Sequence, residues 1–278
     1  MGIIGAGTMG SGIAQICALA GYEVLLYDNT EQALDKARST IEVNLFKGID
    51  KGKISQEDAD QCKTRISFVH KLDKVVGDLI IEAIIEDLDV KQELFAALEK
   101  TNSSETIFAT NTSSIPITKI AAALDRPDRL VGLHFFNPAH IMKLVEVISG
   151  AATSVQVTSE TRAFAESLEK TVVEAKDSPG FIVNRVARHF YVESLQTLES
   201  GVAGVEGIDR LMEASGFKMG PFRLMDLIGV NTNLSVTQSM YEGFNQEAKF
   251  RPNRIQQQKV DAGHWGRKSG RGFYEYEG

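Results

Sequence analysis

The chain has 278 residues, of which 43% are hydrophobic and 24% are charged, and its formal net charge is −7. This is ordinary globular composition with room for two domains, and a negative chain without a basic stripe argues against nucleic acid as a partner. No apolar run reaches membrane-spanning length, and the glycine-rich start leaves no room for a signal peptide. The two cysteines cannot form a disulfide framework, and metal-ligand spacing is absent, so we expect a cytoplasmic protein.

The first elements predict a nucleotide-binding unit. Residues 5–10 (GAGTMG) follow a short apolar run and open the segment Thr8 to Ala20, which has helical periodicity. A second strand, Glu23 to Tyr27, ends at Asp28. A glycine turn between strand and helix, followed by an acid after the next strand, is typical of a dinucleotide-binding βαβ unit.

Each residue of this unit has a physical reason to be there. Gly5 permits the tight turn, Gly7 lets the backbone approach a pyrophosphate, and Gly10 lets helix and strand pack closely. The pyrophosphate would lie at the helix N-terminus, where unpaired N–H groups favour an anion. Asp28 would bind the ribose hydroxyls and repel a 2′-phosphate, which favours NAD over NADP. The alternative is a purely structural turn followed by a solvated Asp28.

The rest of the chain falls into two parts. Further strands are predicted at Arg65 to Val69, Asp78 to Glu82, Thr106 to Thr110, Leu130 to Phe136, Lys143 to Ile148 and Thr171 to Glu174. The helices between them are predicted at Thr30 to Phe46, Leu88 to Lys100 and Ser154 to Leu168. Such alternation predicts an α/β fold, a Rossmann-like, doubly wound, mostly parallel sheet.

Strand patterns stop after the Pro179-Gly180 pair. Helices are predicted beyond it at Phe181 to Leu198, Gly204 to Ser215, Asp226 to Tyr241 and Pro252 to Ala262. We therefore expect an NAD-binding domain over residues 1–176 and an all-α domain over residues 177–278. Apolar faces on several of these helices suggest that the second domain self-associates, most simply as a homodimer.

One segment predicts a catalytic pair. The β-prone runs at 130–136 and 143–148 flank a turn-forming centre at residues 137–140. If they fold back as a hairpin about residue 140, the register sets His134 opposite Glu146. A carboxylate there would fix the ring tautomer and stabilise the imidazolium that forms when the other nitrogen takes a proton. The hypothesis is a His–Glu general-base pair; the alternative is a hydrogen-bonded core histidine with Glu146 facing water.

Polar residues also follow the strands at the edge where doubly wound sheets bind ligands. Residues 111–114 (NTSS) follow one strand, and Glu86 follows another, with Lys91 one helical turn further on. Ser113 could point at a substrate or cap the next helix. Asn184, just inside the second domain, could close the cleft from the other side.

Motifs spread along the whole chain resemble the short-chain L-3-hydroxyacyl-CoA dehydrogenases, including the bacterial 3-hydroxybutyryl-CoA dehydrogenases. They are GAGTMGSGIAQ, TNTSS, GLHFFNPAHIMKLVEV, DSPGFIVNR, MGPFRLMDLIG and GHWGRKSGRGFYEYE. The chain contains no crotonase-like portion, so it resembles the monofunctional enzyme. The resemblance implies reversible, NAD-dependent oxidation of (S)-3-hydroxyacyl-CoA to 3-oxoacyl-CoA, in fatty acid β-oxidation or butyrate-type metabolism, by a dimer.

The resemblance also implies roles for individual residues. His134 would be the catalytic base and Glu146 its partner, while Ser113 and Asn184 would contact the substrate. The residues matching NAD-binding positions are Gly5, Gly7, Thr8, Met9, Gly10, Asp28, Glu86, Lys91, Ser113, Asn137 and Lys268. The residues matching positions that meet the coenzyme A substrate are Lys47, Lys51 and Ser113.

Several alternatives stay open at this stage. Lys47, Lys51 and Lys53 could attract the anionic coenzyme A locally, or could be a solvated helix end that complements the helix dipole. His140 stands where many relatives have proline, and we interpret it as a non-catalytic residue at the surface or cleft rim. The activity could instead be that of a related dehydrogenase of a small free hydroxy acid, of the carnitine or gulonate type. A non-enzymatic protein that keeps the fold and the cofactor is the third possibility.

Overall fold

A computed structural model describes residues 1–276, which divide into two compact units between Ser178 and Pro179. The first unit includes Asp177 and Ser178, which the sequence placed in the second domain. Asp177 belongs to the first unit because its carboxylate accepts hydrogen bonds from the backbone N–H (2.8 Å) and the hydroxyl (2.6 Å) of Thr118. Residues 277–278, which end the last motif and the predicted second domain, lie outside the described residues.

The first unit is built on one sheet of eight strands. They are β1 (Gly2–Ile4), β2 (Val24–Tyr27), β3 (Ile66–Val69), β4 (Leu79–Glu82), β5 (Ile107–Thr110), β6 (Leu130–Phe135), β7 (Leu144–Ser149) and β8 (Thr171–Lys176). The spatial order is β3-β2-β1-β4-β5-β6-β7-β8, and every pair is parallel except β6 with β7. The predicted doubly wound, mostly parallel sheet is confirmed.

The helices of this unit are α1 (Thr8–Leu19), α2 (Glu31–Asp50), α3 (Gln56–Thr64), α4 (Leu88–Thr101), α5 (Ile117–Ala121) and α6 (Val155–Ser167). The sequence analysis missed α3 and α5. Helix α3 buries only Ala59 and Cys62, so it lacks an apolar stripe. Its one local signal is a capping box, in which the Ser55 side chain bonds the backbone of Asp58 and the Asp58 side chain bonds the backbone of Ser55.

The second unit is helical. Its helices are α7 (Val183–Glu199), α8 (Val205–Ala214), α9 (Pro221–Ile228), α10 (Val230–Gly243) and α11 (Arg254–Asp261). The single helix predicted over 226–241 is wrong, because the chain breaks between α9 and α10 at Gly229, whose φ is 103°. A residue with a side chain rarely adopts that conformation, whereas glycine does so readily.

Asp226 ties the C-terminal segment of this unit to α9. Its carboxylate accepts hydrogen bonds of 2.9 Å from the backbone of Phe273, the backbone of Tyr274 and the hydroxyl of Tyr276. A Cβ atom on Gly272 would lie 2.0 Å from Asp226 Oδ1. Two motifs far apart in the sequence, MGPFRLMDLIG and GHWGRKSGRGFYEYE, are thus parts of one hydrogen-bonded arrangement.

Two negative findings concern the described part of the chain. Every helix within residues 1–276 is too short or too polar to span a bilayer. The His, Cys, Asp and Glu side chains in the same range form no group of three or more that could hold a metal ion.

Candidate active site

The β6–β7 hairpin has the predicted register, with His134 paired to Glu146. His134 Nδ1 lies 2.8 Å from Glu146 Oε2, and the two residues are 6% and 0% exposed. An ionised carboxylate can only accept, so Nδ1 is the donor of this bond, and Nε2 is the nitrogen that remains for a proton from a substrate. The His134 ring also packs against Phe136, with centroids 4.5 Å apart. The His134 ring is therefore held by the Glu146 carboxylate and by the Phe136 ring, and a proton acceptor requires such a fixed position.

The ends of this hairpin are fixed by residues that lie far from it in the sequence. Asn111, just after β5, accepts a 2.8 Å hydrogen bond from the backbone N–H of Phe135 through its side-chain oxygen. Lys170, just before β8, donates to the carbonyls of Ala139 (2.7 Å) and Met142 (2.8 Å) in the connecting loop. Sequence reasoning missed Lys170, because no local pattern distinguishes it from a solvated lysine.

Glu86 organises the loop that contains Ser113. Its Oε1 accepts hydrogen bonds from the Thr112 hydroxyl (2.6 Å) and from the backbone N–H groups of Ser113 (2.9 Å) and Ser114 (3.0 Å). Ser113 does not cap the next helix, since α5 begins at Ile117 without a side-chain cap. Its hydroxyl lies 3.4 Å from Glu86 Oε1 instead. The substrate role of Ser113 stays a prediction. The structure shows that Glu86 holds the backbone N–H of Ser113 in place.

Lys91 is 1% exposed and lies between two carboxylates, those of buried Glu82 and exposed Glu86. Its Nζ is 2.5 Å from Glu82 Oε1 and 3.4 Å from Glu86 Oε2. Burial acts to raise the pKa of Glu86, but the Lys91 ammonium and the hydrogen bonds from the 112–114 loop outweigh it, and the pKa lies below its ordinary value. The structure thus gives Lys91 and Glu86 a role in building the site, and their contact with NAD stays a prediction.

The glycine loop has the geometry that a dinucleotide needs. Gly5 has φ of 99°, and a Cβ on Gly10 would lie 1.7 Å from the Gly5 carbonyl oxygen. A Cβ on Gly7 would meet nothing within 4 Å, so the space beside it is open to a ligand. Helix α1 starts at Thr8 with no side-chain cap and no acid in its first turn. Its N-terminus is therefore suited to an anion such as a pyrophosphate.

Asp28 lies beside a cavity of about 590 Å³ at this loop, a volume in the range of cofactor sites. Its Oδ2 accepts a 2.9 Å hydrogen bond from Ala6 N–H, and its Oδ1 accepts from the Thr30 backbone N–H and hydroxyl, both at 3.1 Å. The cavity is lined by Ile4, Gly5, Gly7, Thr8, Met9, Tyr27, Asp28, Asn29, Ala83, Ile84, Ile85, Val90 and Leu94. A fixed carboxylate, a glycine turn and an apolar wall fit the adenosine half of NAD.

The lysines predicted to meet coenzyme A lie at the end of α2. Lys47 is in its last turn, Lys51 is its C-terminal cap residue, and both are exposed. Half-buried His140, in the hairpin loop, has a pKa lowered first by burial and then by the charges of Lys170 and Lys47. The end of α2 and the hairpin loop therefore share one positive region within the first unit.

The helical unit holds the remaining predicted residues. Asn184 is half-buried in the first turn of α7. Lys268 is exposed, with its ammonium 5.5 Å from the centre of the Trp265 ring. Asn137 lies in the hairpin loop of the first unit and is exposed. Their contacts with substrate or cofactor stay predictions.

Comparison with known protein families matches both units. The NAD binding domain of 3-hydroxyacyl-CoA dehydrogenase matches residues 1–178, and the C-terminal domain of 3-hydroxyacyl-CoA dehydrogenase matches residues 180–276. Together these matches span nearly the whole chain. They agree with the resemblance that the motifs indicated.

Individual relatives are similar along the full chain. The 3-hydroxyadipyl-CoA dehydrogenase of Escherichia coli K12 is 45% identical over 99% of this chain and 58% of its own length. A probable 3-hydroxybutyryl-CoA dehydrogenase of Bacillus subtilis is 42% identical over 99% of this chain and 96% of its own. The crystal structure of (S)-3-hydroxybutyryl-CoA dehydrogenase from Ralstonia eutropha has a TM-score of 0.96 at 39% identity, covering 100% of this chain and 98% of that one. The chain thus spans little more than half of the first relative and nearly all of the other two.

Proposed function

The chain belongs to the 3-hydroxyacyl-CoA dehydrogenase family, and we propose that it catalyses the reversible, NAD-dependent oxidation of (S)-3-hydroxyacyl-CoA to 3-oxoacyl-CoA. The observation that carries the proposal is the buried hydrogen bond of 2.8 Å between His134 and Glu146. It lies in the same unit as a complete glycine loop with its ribose-binding acid, Asp28. A base for the alcohol proton and a binding site for a hydride acceptor are what this reaction requires.

The proposed chemistry follows from the site. Oxidation removes the hydroxyl proton and a hydride from the same carbon, and NAD, when bound, supplies the hydride acceptor. His134 takes the proton on Nε2, and the Glu146 carboxylate stabilises the imidazolium that results. Ser113, held by Glu86, and Asn184 orient the substrate oxygen. In the reverse direction the His134 imidazolium returns the proton to the forming alcohol.

The phosphates of coenzyme A are proposed to meet Lys47 and Lys51. The protein is net negative, so attraction for an anionic substrate must be local, and the positive region at the end of α2 provides it. This proposal favours a thioester over a free hydroxy acid. The family also favours the thioester, which leaves the carnitine- or gulonate-type alternative without a specific observation in its favour.

We also propose that the helical unit forms a homodimer and that the protein works in the cytoplasm. The second unit exposes large apolar side chains, among them Val186 (70%), Leu211 (66%) and Phe217 (49%). Both cysteines are buried thiols, and burial raises the pKa of Cys17 to about 12, which makes it unreactive. Light scattering on the purified protein tests the dimer.

The deciding experiment follows NADH absorbance with acetoacetyl-CoA beside free acetoacetate. Turnover of the thioester alone is the expected result. Turnover of the free acid alone would overturn the proposal in favour of the second class of dehydrogenase. A protein that binds NADH and turns over neither substrate, nor other hydroxy acids, would be a binding protein that keeps the fold.

A further inference from the structure

Glu82, the last residue of β4, is a fully buried carboxylate. It is 0% exposed. Its Oε1 accepts hydrogen bonds from the Lys91 ammonium (2.5 Å) and the Ile84 backbone N–H (2.7 Å), and its Oε2 accepts from the Thr110 hydroxyl (2.7 Å). Glu82 receives all three bonds and donates none, as an ionised carboxylate does. The fold therefore holds a negative charge at one fixed place.

Lys91 is shared between this carboxylate and that of Glu86. Its Nζ lies 3.4 Å from Glu86 Oε2. Burial raises the pKa of Glu86, but the Lys91 charge and the loop hydrogen bonds lower it more, so the pKa lies below its ordinary value. Within residues 1–276, Lys91 is the only cation that forms an ion pair with either carboxylate. Two negative charges and one positive charge give the Glu82–Lys91–Glu86 group a net negative charge.

Another buried ion pair of the same unit is balanced one to one. Arg129 is 5% exposed, and its Nη2 lies 2.6 Å from Glu99 Oε1. Charges taken out of water need such compensation. The excess charge of the Glu82–Lys91–Glu86 group reaches the surface through Glu86, whose side chain is 35% exposed. A positive group from outside the chain would compensate it there.

The order of the strands places this group beneath the path of the cofactor. The sheet runs β2-β1-β4-β5-β6, with Asp28 after β2, the glycine loop after β1, Glu82 at the end of β4 and His134 on β6. An NAD molecule with a ribose at Asp28 and its reacting ring beside His134 must cross the carboxyl ends of β4 and β5. Strands β4 and β6 are two strand spacings apart, or about 10 Å. The nicotinamide half therefore lies close to the Glu82–Lys91–Glu86 group.

The nicotinamide ring is positively charged in NAD⁺ and neutral in NADH, whereas the rest of the two molecules is the same. We infer that the net negative charge of the Glu82–Lys91–Glu86 group favours binding of NAD⁺ over NADH, with Glu82 as the positioning residue that holds Lys91 and fixes this charge. The inference rests on the proposed function, which puts the ring beside His134.

This preference has a consequence for the direction of the reaction. Stabilising bound NAD⁺ relative to bound NADH shifts the equilibrium on the protein toward reduction of the 3-oxoacyl thioester. In that direction C3 of the thioester receives the hydride, and the His134 imidazolium gives its proton to the oxygen. The charge of Glu82 thus acts on the hydride transfer without any contact between Glu82 and the substrate.

The test measures dissociation constants rather than turnover. NADH is titrated by its fluorescence, and NAD⁺ by its competition with NADH. Glu82→Gln keeps the shape of the side chain and removes one charge, and the Thr110 hydroxyl can turn to accept from the new amide. We expect the ratio of Kd for NAD⁺ to Kd for NADH to rise about tenfold, the effect of a unit charge about 10 Å away in a partly screened site.

A matched control lies at the opposite edge of the sheet. Glu105 is exposed and stands two residues before β5, at the amino end of that strand. Glu105→Gln makes the same change in net charge and should leave the ratio of the two dissociation constants unchanged. An equal rise in the ratio for Glu105→Gln and Glu82→Gln would assign the effect to the net charge of the protein and overturn the inference.

The remaining outcomes separate this inference from the proposed function. If Glu82→Gln raises both dissociation constants by the same factor, or changes neither, Glu82 only supports the fold and the inference is overturned. If Glu82→Gln does not fold, Glu86→Gln removes one charge at a partly exposed position, and the same ratio decides, because any lost contact with the shared part of the cofactor affects NAD⁺ and NADH alike. A wild-type protein that binds both forms but turns over no thioester fails the proposed function, and the ratio still tests the charge.

Discussion

His134 Nδ1 lies 2.8 Å from Glu146 Oε2, and the two residues face each other across an antiparallel strand pair whose side chains there are buried. Antiparallel partners sit with Cβ atoms about 5 Å apart, which leaves room for one hydrogen bond between an imidazole and a carboxylate. The backbone ladder therefore sets the geometry of the pair.

This pair should be required for turnover and dispensable for NADH binding. We expect His134→Ala to lower kcat by about 10²–10⁴-fold, the usual contribution of a positioned base. Glu146→Gln keeps the side-chain shape but removes the negative charge that stabilises the imidazolium, so it should also lower kcat. Steady-state rates with acetoacetyl-CoA and fluorescence titration with NADH measure the two effects separately. His70→Ala, at an exposed position, is the control, and near-normal activity of His134→Ala would refute the assignment.

The glycines of the phosphate loop should respond differently to the same substitution. In Gly10→Ala the new Cβ would lie 1.7 Å from the Gly5 carbonyl oxygen. Backbone cannot move aside cheaply, so we expect a loss of stability of about 1–3 kcal/mol or more. Gly7 has φ of −70°, and a Cβ there meets no protein atom within 4 Å. Gly7→Ala should fold normally and bind NADH more weakly, because the methyl group enters the space for the pyrophosphate.

Thermal melts and NADH titrations of the two variants provide this comparison. A Gly7→Ala protein with full NADH affinity would show that the pyrophosphate lies elsewhere. A Gly10→Ala protein as stable as wild type would show that helix α1 and the glycine turn are not packed as closely as the structure has them.

Asp28 should determine the choice between NAD and NADP. Asp28→Asn retains an oxygen that can accept from Ala6 N–H, as the carboxylate does at 2.9 Å, but it removes the charge that repels a 2′-phosphate. We expect the ratio of kcat/KM for NADPH to that for NADH to rise about tenfold, the effect of one unit charge partly screened by water. Asp35→Asn, at an exposed position on α2, is the charge-matched control. An unchanged ratio would assign cofactor choice to another residue.

The sequence was most informative where one local rule determines the structure. The strand–turn–strand pattern around residue 140 determines the register, so the contact of His134 with Glu146 could be predicted before any coordinates. Glycine spacing likewise predicted the loop at residues 5–10. The positive φ of Gly5 and the close approach of Gly10 to the Gly5 carbonyl oxygen require glycine, and the space beside Gly7 is open. The parallel sheet followed from the alternation of strands and helices.

The features that were missed depend on partners distant in the sequence. Lys170 donates hydrogen bonds to two carbonyls in the hairpin loop. Arg188 donates hydrogen bonds to the side chains of Asn233 and Thr237. Hydrophobic periodicity in a sequence marks buried apolar residues, and it does not mark a buried lysine or arginine. The break at Gly229 was missed for another reason: the apolar pattern continues through it, and a single glycine does not end a helix unless its φ is positive.

Glu86 should make the stability of the site depend on pH. Its pKa in the folded protein lies below the ordinary value of 4.5, because the Lys91 ammonium and the loop hydrogen bonds outweigh its desolvation. A carboxyl with a lowered folded pKa contributes stability that is complete above the unfolded pKa and is lost as pH falls through the folded one. We therefore expect Glu86→Gln to lower the melting temperature at neutral pH and to approach wild type below pH 4.5.

Melting curves recorded from about pH 7 down to about pH 3 measure this dependence. Asp89→Asn, in the first turn of α4, is the control for loss of a nearby exposed carboxylate. If the melting temperatures of Glu86→Gln and wild type differ by the same amount at every pH, the contacts of Glu86 contribute to stability independently of its charge.

Charge at the end of α2 should control affinity for coenzyme A thioesters. Lys51→Glu reverses one charge of the positive region that includes Lys47, and it should raise KM for acetoacetyl-CoA about three- to tenfold at low salt with little change in kcat. Added salt should shrink the difference between variant and wild type, because the lysines are exposed and screened. Initial rates at low and high ionic strength measure both effects.

A matched control is available on another helix of the same unit. Lys100 is an exposed lysine in the last turn of α4, and Lys51 is the exposed cap residue at the same end of α2. Lys100→Glu therefore makes the same change in net charge and a similar change in interaction with a helix dipole. The N-acetylcysteamine thioester of acetoacetate lacks the coenzyme A phosphates, so its KM should be the same for Lys51→Glu and wild type. If KM rises equally for Lys100→Glu and Lys51→Glu, the net charge of the whole protein controls the affinity, and the assignment of Lys51 is refuted. If KM rises only for Lys51→Glu and only with the phosphate-bearing substrate, the result supports binding of the coenzyme A phosphates at the end of α2.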